Sequence, residues 1–124
     1  MNTTKPERIE SVNQWLVVIA SSGRQFFAHD HPQGRVVAYF LADARGRLWM
    51  LNEYSLKLMY ASMQKPYRNF THGGTLQRLC HDLVSFIRHG RTIKVSGIHW
   101  AYGDDLPEVL RQGVALGVLR EAAS

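Results

Sequence analysis

Two histidines flank an aspartate in the stretch F-A-H-D-H-P-Q-G-R (27–35), and imidazoles two residues apart on a strand point to the same side. His29 and His31 could therefore share one metal ion. A zinc or iron site needs a third and usually a fourth ligand, and the sequence contains no H-E-x-x-H, C-x-x-C or H-x-x-x-H motif. Pro32 and Gly34 follow at once, which is typical of a turn. We interpret the stretch as a hairpin tip with two exposed imidazoles, and we expect neither a metal site nor a cofactor.

Other cysteine, histidine and aspartate residues are of types found in catalytic sites, but their spacing in the sequence does not suit catalysis. Cys80, His81 and Asp82 are consecutive, and three successive side chains on a helix point about 100° apart, so they cannot act on one another as a triad. Cys80 falls on the apolar positions of a predicted helix, which indicates a core residue. Asp104 and Asp105 are explained by their place at a helix start. We therefore expect a protein that is not an enzyme.

Basic residues are concentrated in the middle of the chain. The net charge is +5 overall, but the window 54–103 holds seven Lys or Arg against one acid, Asp82, a net charge of +6. Between residues 60 and 72, aromatic side chains alternate with basic ones, as in proteins that hold single-stranded nucleic acid. This asymmetry favours a nucleic acid or an acidic protein surface as the partner. The residues expected to form the binding region are Lys57, Lys65, Tyr67, Arg68, Phe70, His72, Arg78, Arg88, Arg91 and Lys94.

The first half of the chain has the composition of strands and turns. We expect residues 1–10 to be a disordered tail and residues 11–124 to form a single domain. The turn D-A-R-G (43–46) predicts that the segments on either side of it pair as a hairpin. Strands are predicted over residues 12–20, 25–29, 35–42 and 48–52.

Residues 54–61 fit two patterns. Tyr54, Leu56, Leu58 and Tyr60 alternate as the apolar side of a half-buried strand would, but a helical stripe that includes Met59 fits as well. We prefer the strand, because the segment follows another strand after a short junction. The helix remains the alternative.

The second half of the chain predicts helices. Thr75 is a suitable N-cap for a helix whose apolar residues recur at helical spacing until Gly90. A strand over 92–95 follows, then a helix that opens with D-L-P-E (105–108), then a short strand at 118–119. The predicted fold class is therefore α+β, with an antiparallel meander of four to five strands followed by helix, strand, helix.

Several predicted strands carry apolar side chains on both faces, so both sides of the sheet should be covered. The two helices could lie on opposite faces, the sheet could curl on itself, or one face could be buried in a homodimer. The last arrangement supports a second functional hypothesis. In it, the chain is a protein–protein interaction or inhibitor module that acts through an apolar sheet face.

The compartment is indicated by what the chain lacks. No apolar run approaches the about 20 residues that a membrane helix needs, and no secretory signal is visible. Cys80 is the one cysteine, so an internal disulfide is excluded and a reducing compartment is favoured. We expect a cytoplasmic protein without a membrane partner.

Three stretches resemble small uncharacterised proteins carried by phages, plasmids and integrated elements of proteobacteria. They are G-R-L-W-M-L (46–51), F-T-H-G-G-T-L-Q-R-L-C-H-D-L-V-S-F-I-R-H-G (70–90) and W-A-Y-G-D-D-L-P-E-V-L-R-Q-G-V-A-L-G-V-L (100–119). The resemblance covers about half of the chain and assigns no residue a role. It implies an accessory protein of a bacterial mobile element.

Overall fold

A helix, α1 (Lys5–Ala20), opens the computed structural model, which describes residues 3–22, 25–61, 74–98 and 106–121. Thr4 and Glu7 start this helix through a capping box. The Thr4 hydroxyl accepts a hydrogen bond from the Glu7 N–H at 3.3 Å, and the Glu7 carboxylate accepts one from the Thr4 N–H at 2.9 Å. Pro6 lies in the first turn, where a missing N–H costs little.

Helix α1 corrects two expectations. The strand predicted over 12–20 was wrong, and the tail expected over 1–10 contains the first turns of the same helix. Val12, Trp15 and Leu16 are fully buried at helical spacing. The helix packs against four other elements, described below, so it is apolar on more than one side. Apolar residues on several sides of a helix do not show a clear helical period, so the segment 12–20 has the pattern of a buried strand.

Five short strands follow α1 in the antiparallel order that was predicted. β1 and β2 form a hairpin, while β3, β4 and β5 form a separate sheet with β4 in the middle. The segment predicted as one strand over 35–42 is divided at Ala38, whose N–H donates to the Phe27 carbonyl at 2.8 Å. The strands are β1 (Ala28–His31), β2 (Gly34–Val37), β3 (Tyr39–Ala42), β4 (Leu48–Leu51) and β5 (Leu58–Tyr60).

The turn between β3 and β4 has the predicted form. Asp43 Oδ1 accepts hydrogen bonds from the backbone N–H groups of Arg45 and Arg47, both at 2.9 Å. Gly46 has φ +79°, a left-handed conformation that glycine adopts without strain. The hairpin prediction is confirmed. The strand predicted over residues 54–61 is present at residues 58–60, but the prediction was wrong for residues 54–57, which lie in the loop before β5, where Leu56 has φ +61°.

The second half of the chain contains helix, strand and helix in the predicted order, so the α+β class is confirmed. The first of these helices ends before Gly90, which has φ +75° as a C-terminal glycine often does. Two short strands then pair in parallel around the last helix. The elements are α2 (Gly74–His89), β6 (Ile93–Lys94), a 3₁₀ turn (Val95–Gly97), α3 (Leu106–Ala115) and β7 (Leu119–Arg120).

Helix α1 lies at the centre and contacts β2, β3, α2 and α3. Two side chains fasten it to its neighbours. The Trp15 Nε1–H donates to the Val109 carbonyl of α3 at 2.9 Å, and the Arg8 Nε–H donates to the Ile87 carbonyl in the last turn of α2 at 2.8 Å. None of the helices in the described ranges is long and apolar enough to cross a membrane.

Candidate interaction surface

The sheet β3–β4–β5 has one side that faces the core. Phe40, Met50 and Met59 stand opposite one another across the three strands, and all three are buried. Met50 also meets α2, because its Sδ lies 3.9 Å from the Sγ of Cys80. This inner row joins the sheet to the helices.

The other side of the same sheet is also apolar, but several of its side chains are exposed to solvent. Leu58 is 50% exposed, Tyr60 is 52% exposed and Tyr39 is 42% exposed. The register places six side chains on this side, and none is charged. We call this set the outer face; it comprises Tyr39, Leu41, Trp49, Leu51, Leu58 and Tyr60.

Asp43 holds Trp49 in place on the outer face. Its Oδ2 accepts hydrogen bonds from the Trp49 Nε1–H at 3.0 Å and from the Arg47 Nε–H at 2.8 Å. The bond from Trp49 is the main reason why the pKa of Asp43 lies well below its usual range, and bonds from Arg47 and Arg45 act in the same direction. Since its polar atom is satisfied, the indole ring can offer carbon surface to a partner. The ring is also in contact with Tyr60, at 5.2 Å between centroids.

The alternation predicted a strand over residues 54–61, of which residues 58–60 form β5, and it predicted the wrong side of that strand to be buried. Leu58 and Tyr60 were expected on the buried side, yet they are exposed and Met59 is buried between them. Met59 continues the row of Phe40 and Met50, and this row is the side that the helices cover. In the sequence, the apolar side chains on both faces of β3 and β4 indicated that the second side of the sheet also makes contacts.

The histidines of the hairpin tip hold β1 against the loop between β4 and β5. The His31 Nε2 lies 2.6 Å from the Glu53 carbonyl, so this nitrogen donates a proton to it. The His29 ring lies between the rings of His31 and Tyr54, with centroids 4.8 and 4.7 Å away. The turn prediction is confirmed, because His31 pairs with Gly34 across a two-residue turn, but both imidazoles are partly buried rather than exposed.

These histidines do not converge with other ligands in the described part of the chain. No group of three His, Cys, Asp or Glu side chains there could hold a metal ion. His81 and His89 lie on α2, and His72 and His99 are outside the described residues. The ring nitrogen of His31 that bonds Glu53 would have to be released before it could bind a metal.

Cys80 is a core residue, as expected. It is fully buried, and burial raises the pKa of its thiol, with the Glu53 carboxylate acting in the same direction. A thiol that stays protonated is a poor nucleophile. The pKa of the neighbouring Asp82 is also raised by burial, against the opposite influence of Arg78 and His81.

The basic residues of the predicted binding region are only partly described. Those that are described are all exposed, and none forms an ion pair with another described residue. Lys57 precedes β5, Arg78 and Arg88 lie on α2, and Arg91 and Lys94 lie beyond it. The rest of the region is outside the described residues, namely Lys65, Tyr67, Arg68, Phe70 and His72.

A surface cavity of about 330 Å³ lies between the end of α1 and α3. Glu108 is the charged residue that lines it, and Arg111 and Gln112 hold its carboxylate at 2.6–2.9 Å. The bond from Arg111 is the main cause that lowers the pKa of Glu108 to about 2. The carboxylate is thus engaged within its own helix.

Comparison with curated proteins and with solved structures finds no match. The sequence model of one protein family matches residues 2–109, which include α1, both hairpins, the outer face and α2. This match covers most of the chain. The chain therefore belongs to the YoqU family.

Proposed function

We propose that the chain is a protein-interaction module whose outer face binds an acidic partner protein with an apolar contact surface. The observation that carries this proposal is the absence of any charged residue among the six outward positions of the sheet. Soluble monomers rarely leave a contiguous apolar patch of this kind uncovered, and such patches mark protein-binding sites. Half of the side chains on the outer face are aromatic, and aromatic side chains are enriched in interfaces.

The charges at both ends of the sheet indicate the chemistry of the partner's rim. Arg45 lies in the β3–β4 turn beside Arg47, whose charge is paired with Asp43, and Lys57 lies at the other end, before β5. The acids at these ends are not available to a partner, because Asp43 is engaged by Arg47 and Trp49 and Glu53 is buried. A basic rim around an apolar centre fits a partner with acidic residues around its own apolar contact.

A photoreactive benzophenone amino acid in place of Tyr39 tests this proposal in the cells from which the gene comes. Tyr39 is on the outer face and on the strand farthest from β5. We expect an adduct that protease removes and nuclease does not, at a mass that differs from two copies of this chain. The matched control carries the same group in place of Glu10, an exposed residue of α1, and should give no such adduct.

Charge-reversal variants in the same cross-linking experiment test whether the partner is acidic. Lys57→Glu should lower the adduct yield by a factor of about 3 or more, since it places a negative charge against an acidic rim. Lys94→Glu makes the same charge change away from the outer face and should have little effect. Equal adducts at positions 39 and 10, or an adduct of two copies of this chain at position 39, would contradict the proposal.

The basic residues support a second candidate function, contact with nucleic acid. Arg78, Arg88, Arg91 and Lys94 are exposed on and after α2 and form no ion pair with acids of the described residues, although Arg78 interacts electrostatically with Asp82. Phosphate contacts made by such side chains are salt-dependent.

Charge reversal of one of these residues separates the second candidate from the first. Arg88→Glu should weaken binding to a short duplex DNA and reduce the slope of log affinity against log salt by about 1. Arg45→Glu makes the same charge change in the β3–β4 turn and should leave the slope unaltered. If neither variant changes the slope, or both change it equally, α2 is not a nucleic-acid surface.

We also propose the genetic origin and the compartment of the protein. The resemblance of residues 46–51, 70–90 and 100–119 to proteins of phages and plasmids supports an accessory role in a mobile element. The buried, protonated thiol of Cys80 is compatible with a reducing cytoplasm, where we expect the partner to be found.

A further inference from the structure

The two edges of the sheet β3–β4–β5 differ. On the β3 edge, the Asn13 side chain of α1 occupies both backbone groups of Phe40. The Phe40 N–H donates to Asn13 Oδ1 at 2.7 Å, and Asn13 Nδ2 donates to the Phe40 carbonyl at 2.9 Å. An amide that pairs in this way takes the place of a neighbouring strand, so this edge is closed.

The β5 edge has no such closure among the described residues. The Lys57 carbonyl accepts from the N–H of Asn52, which directly follows β4, and the Ala61 N–H donates to the Leu48 carbonyl of β4, at 3.0 Å each. The backbone groups of alternate residues therefore point towards β4. Those of Leu58 and Tyr60 consequently point away from it. Neither residue has a further hydrogen bond to any residue of the described ranges. Their N–H and C=O groups are a template for another strand.

A second copy of the chain fits this edge with two-fold symmetry about Met59. In an antiparallel pairing centred there, Leu58 lies opposite Tyr60 of the second copy, and each such pair exchanges both backbone hydrogen bonds. Lys57 then lies opposite Ala61 of the second copy, so no like charges face each other. The aromatic ring of Tyr60 meets the aliphatic side chain of Leu58 across the strands, a favourable cross-strand pair.

We propose that two copies of the chain associate through β5 to form one continuous antiparallel sheet. Because Asn13 closes the opposite edge, the assembly stops at two copies and does not grow into a filament. The two outer faces then lie side by side on one surface. This dimer goes beyond the proposed function and does not depend on it, since the outer face stays accessible.

A proline scan at the edge tests the proposal with the full chain. Leu58→Pro removes the N–H that points away from β4 and leaves the ladder of the sheet intact. Leu58→Ala removes the side chain but keeps the N–H, so it is the matched control. In sedimentation velocity at concentrations up to about 100 μM, the native chain should form dimers, Leu58→Ala should dimerise within about 3-fold of it, and Leu58→Pro should dimerise at least 10-fold more weakly.

A disulfide provides a second measurement that does not rely on the proline variant folding. Met59 lies on the two-fold axis as a non-hydrogen-bonded pair, with Cα atoms about 4.5 Å apart, within the range for a disulfide. Met59→Cys should therefore oxidise to a covalent dimer, whereas Met50→Cys, on the middle strand of the same inner row, should not. A native chain that stays monomeric, equal dimerisation of the two Leu58 variants, or equal cross-linking of the two cysteine variants would overturn the proposal.

Discussion

Truncation of Trp15 to alanine should lower the free energy of unfolding by about 3–5 kcal/mol. Trp15 is fully buried on α1, and its indole N–H bonds the Val109 carbonyl of α3. The packing around it is tight. A methyl group at Gly113 would lie 2.6 Å from Leu119 Cδ1 and 2.9 Å from Trp15 Nε1, so the ring fills the space beside that glycine. Removing the ring leaves a cavity that α3 and β7 cannot fill without moving.

Urea denaturation followed by far-ultraviolet circular dichroism measures this loss. Trp15→Phe is the matched control, because it keeps most of the volume of the ring but loses the hydrogen bond to Val109. It should cost about 1–2 kcal/mol. If the phenylalanine variant is as unstable as the alanine variant, the hydrogen bond and not the volume holds α1 to α3.

Replacement of Asn13 by alanine should have the next largest effect, about 2–3 kcal/mol, because it leaves both backbone groups of Phe40 without a partner. Asn13→Asp should also be destabilising. Its carboxylate can accept from the Phe40 N–H but would place an oxygen against the Phe40 carbonyl, where the amide now donates. Urea denaturation gives the size of both effects, with Gln14→Ala, on the exposed side of α1, as the control.

The Asn13→Ala variant has a second expected result. Opening the β3 edge frees a second template for strand pairing, so the variant should form species larger than two copies. Sedimentation velocity of the variant and the native chain shows this directly. A variant that is less stable but no larger than the native chain would mean that Asn13 contributes to packing without protecting the edge.

Elements whose stabilising contacts lie close together in the sequence were the ones that could be predicted. The β3–β4 turn is specified by Asp43 and Gly46, which act on neighbouring backbone groups. Helix α2 shows its buried side in the sequence because its other side is polar. The end of α2 could be predicted for the same reason, because Gly90 acts on the backbone of the last turn. These features do not depend on what the rest of the chain does.

Helix α1 was missed although its start was present in the sequence. Thr4, Pro6 and Glu7 form a capping box with proline in the first turn, but these residues were interpreted as a disordered tail. The apolar run 15–20 contains several β-branched residues, which favour strands in isolation. Contacts with β3, α2 and α3 outweigh this preference, because a central helix can bury apolar side chains on more than one side.

Local sequence patterns were enough to predict the α+β class, the antiparallel meander and the order of helix, strand and helix, because turns, caps and periodic apolar residues act over a few positions. The tertiary structure alone decided which side of β5 is buried, since Met59 faces inward only to continue the row of Phe40 and Met50 beneath the helices. It also decided that His31 of the β1–β2 hairpin bonds the Glu53 carbonyl in the loop between β4 and β5. Such contacts join residues far apart in the chain, and a local pattern carries no information about which distant surface will meet it.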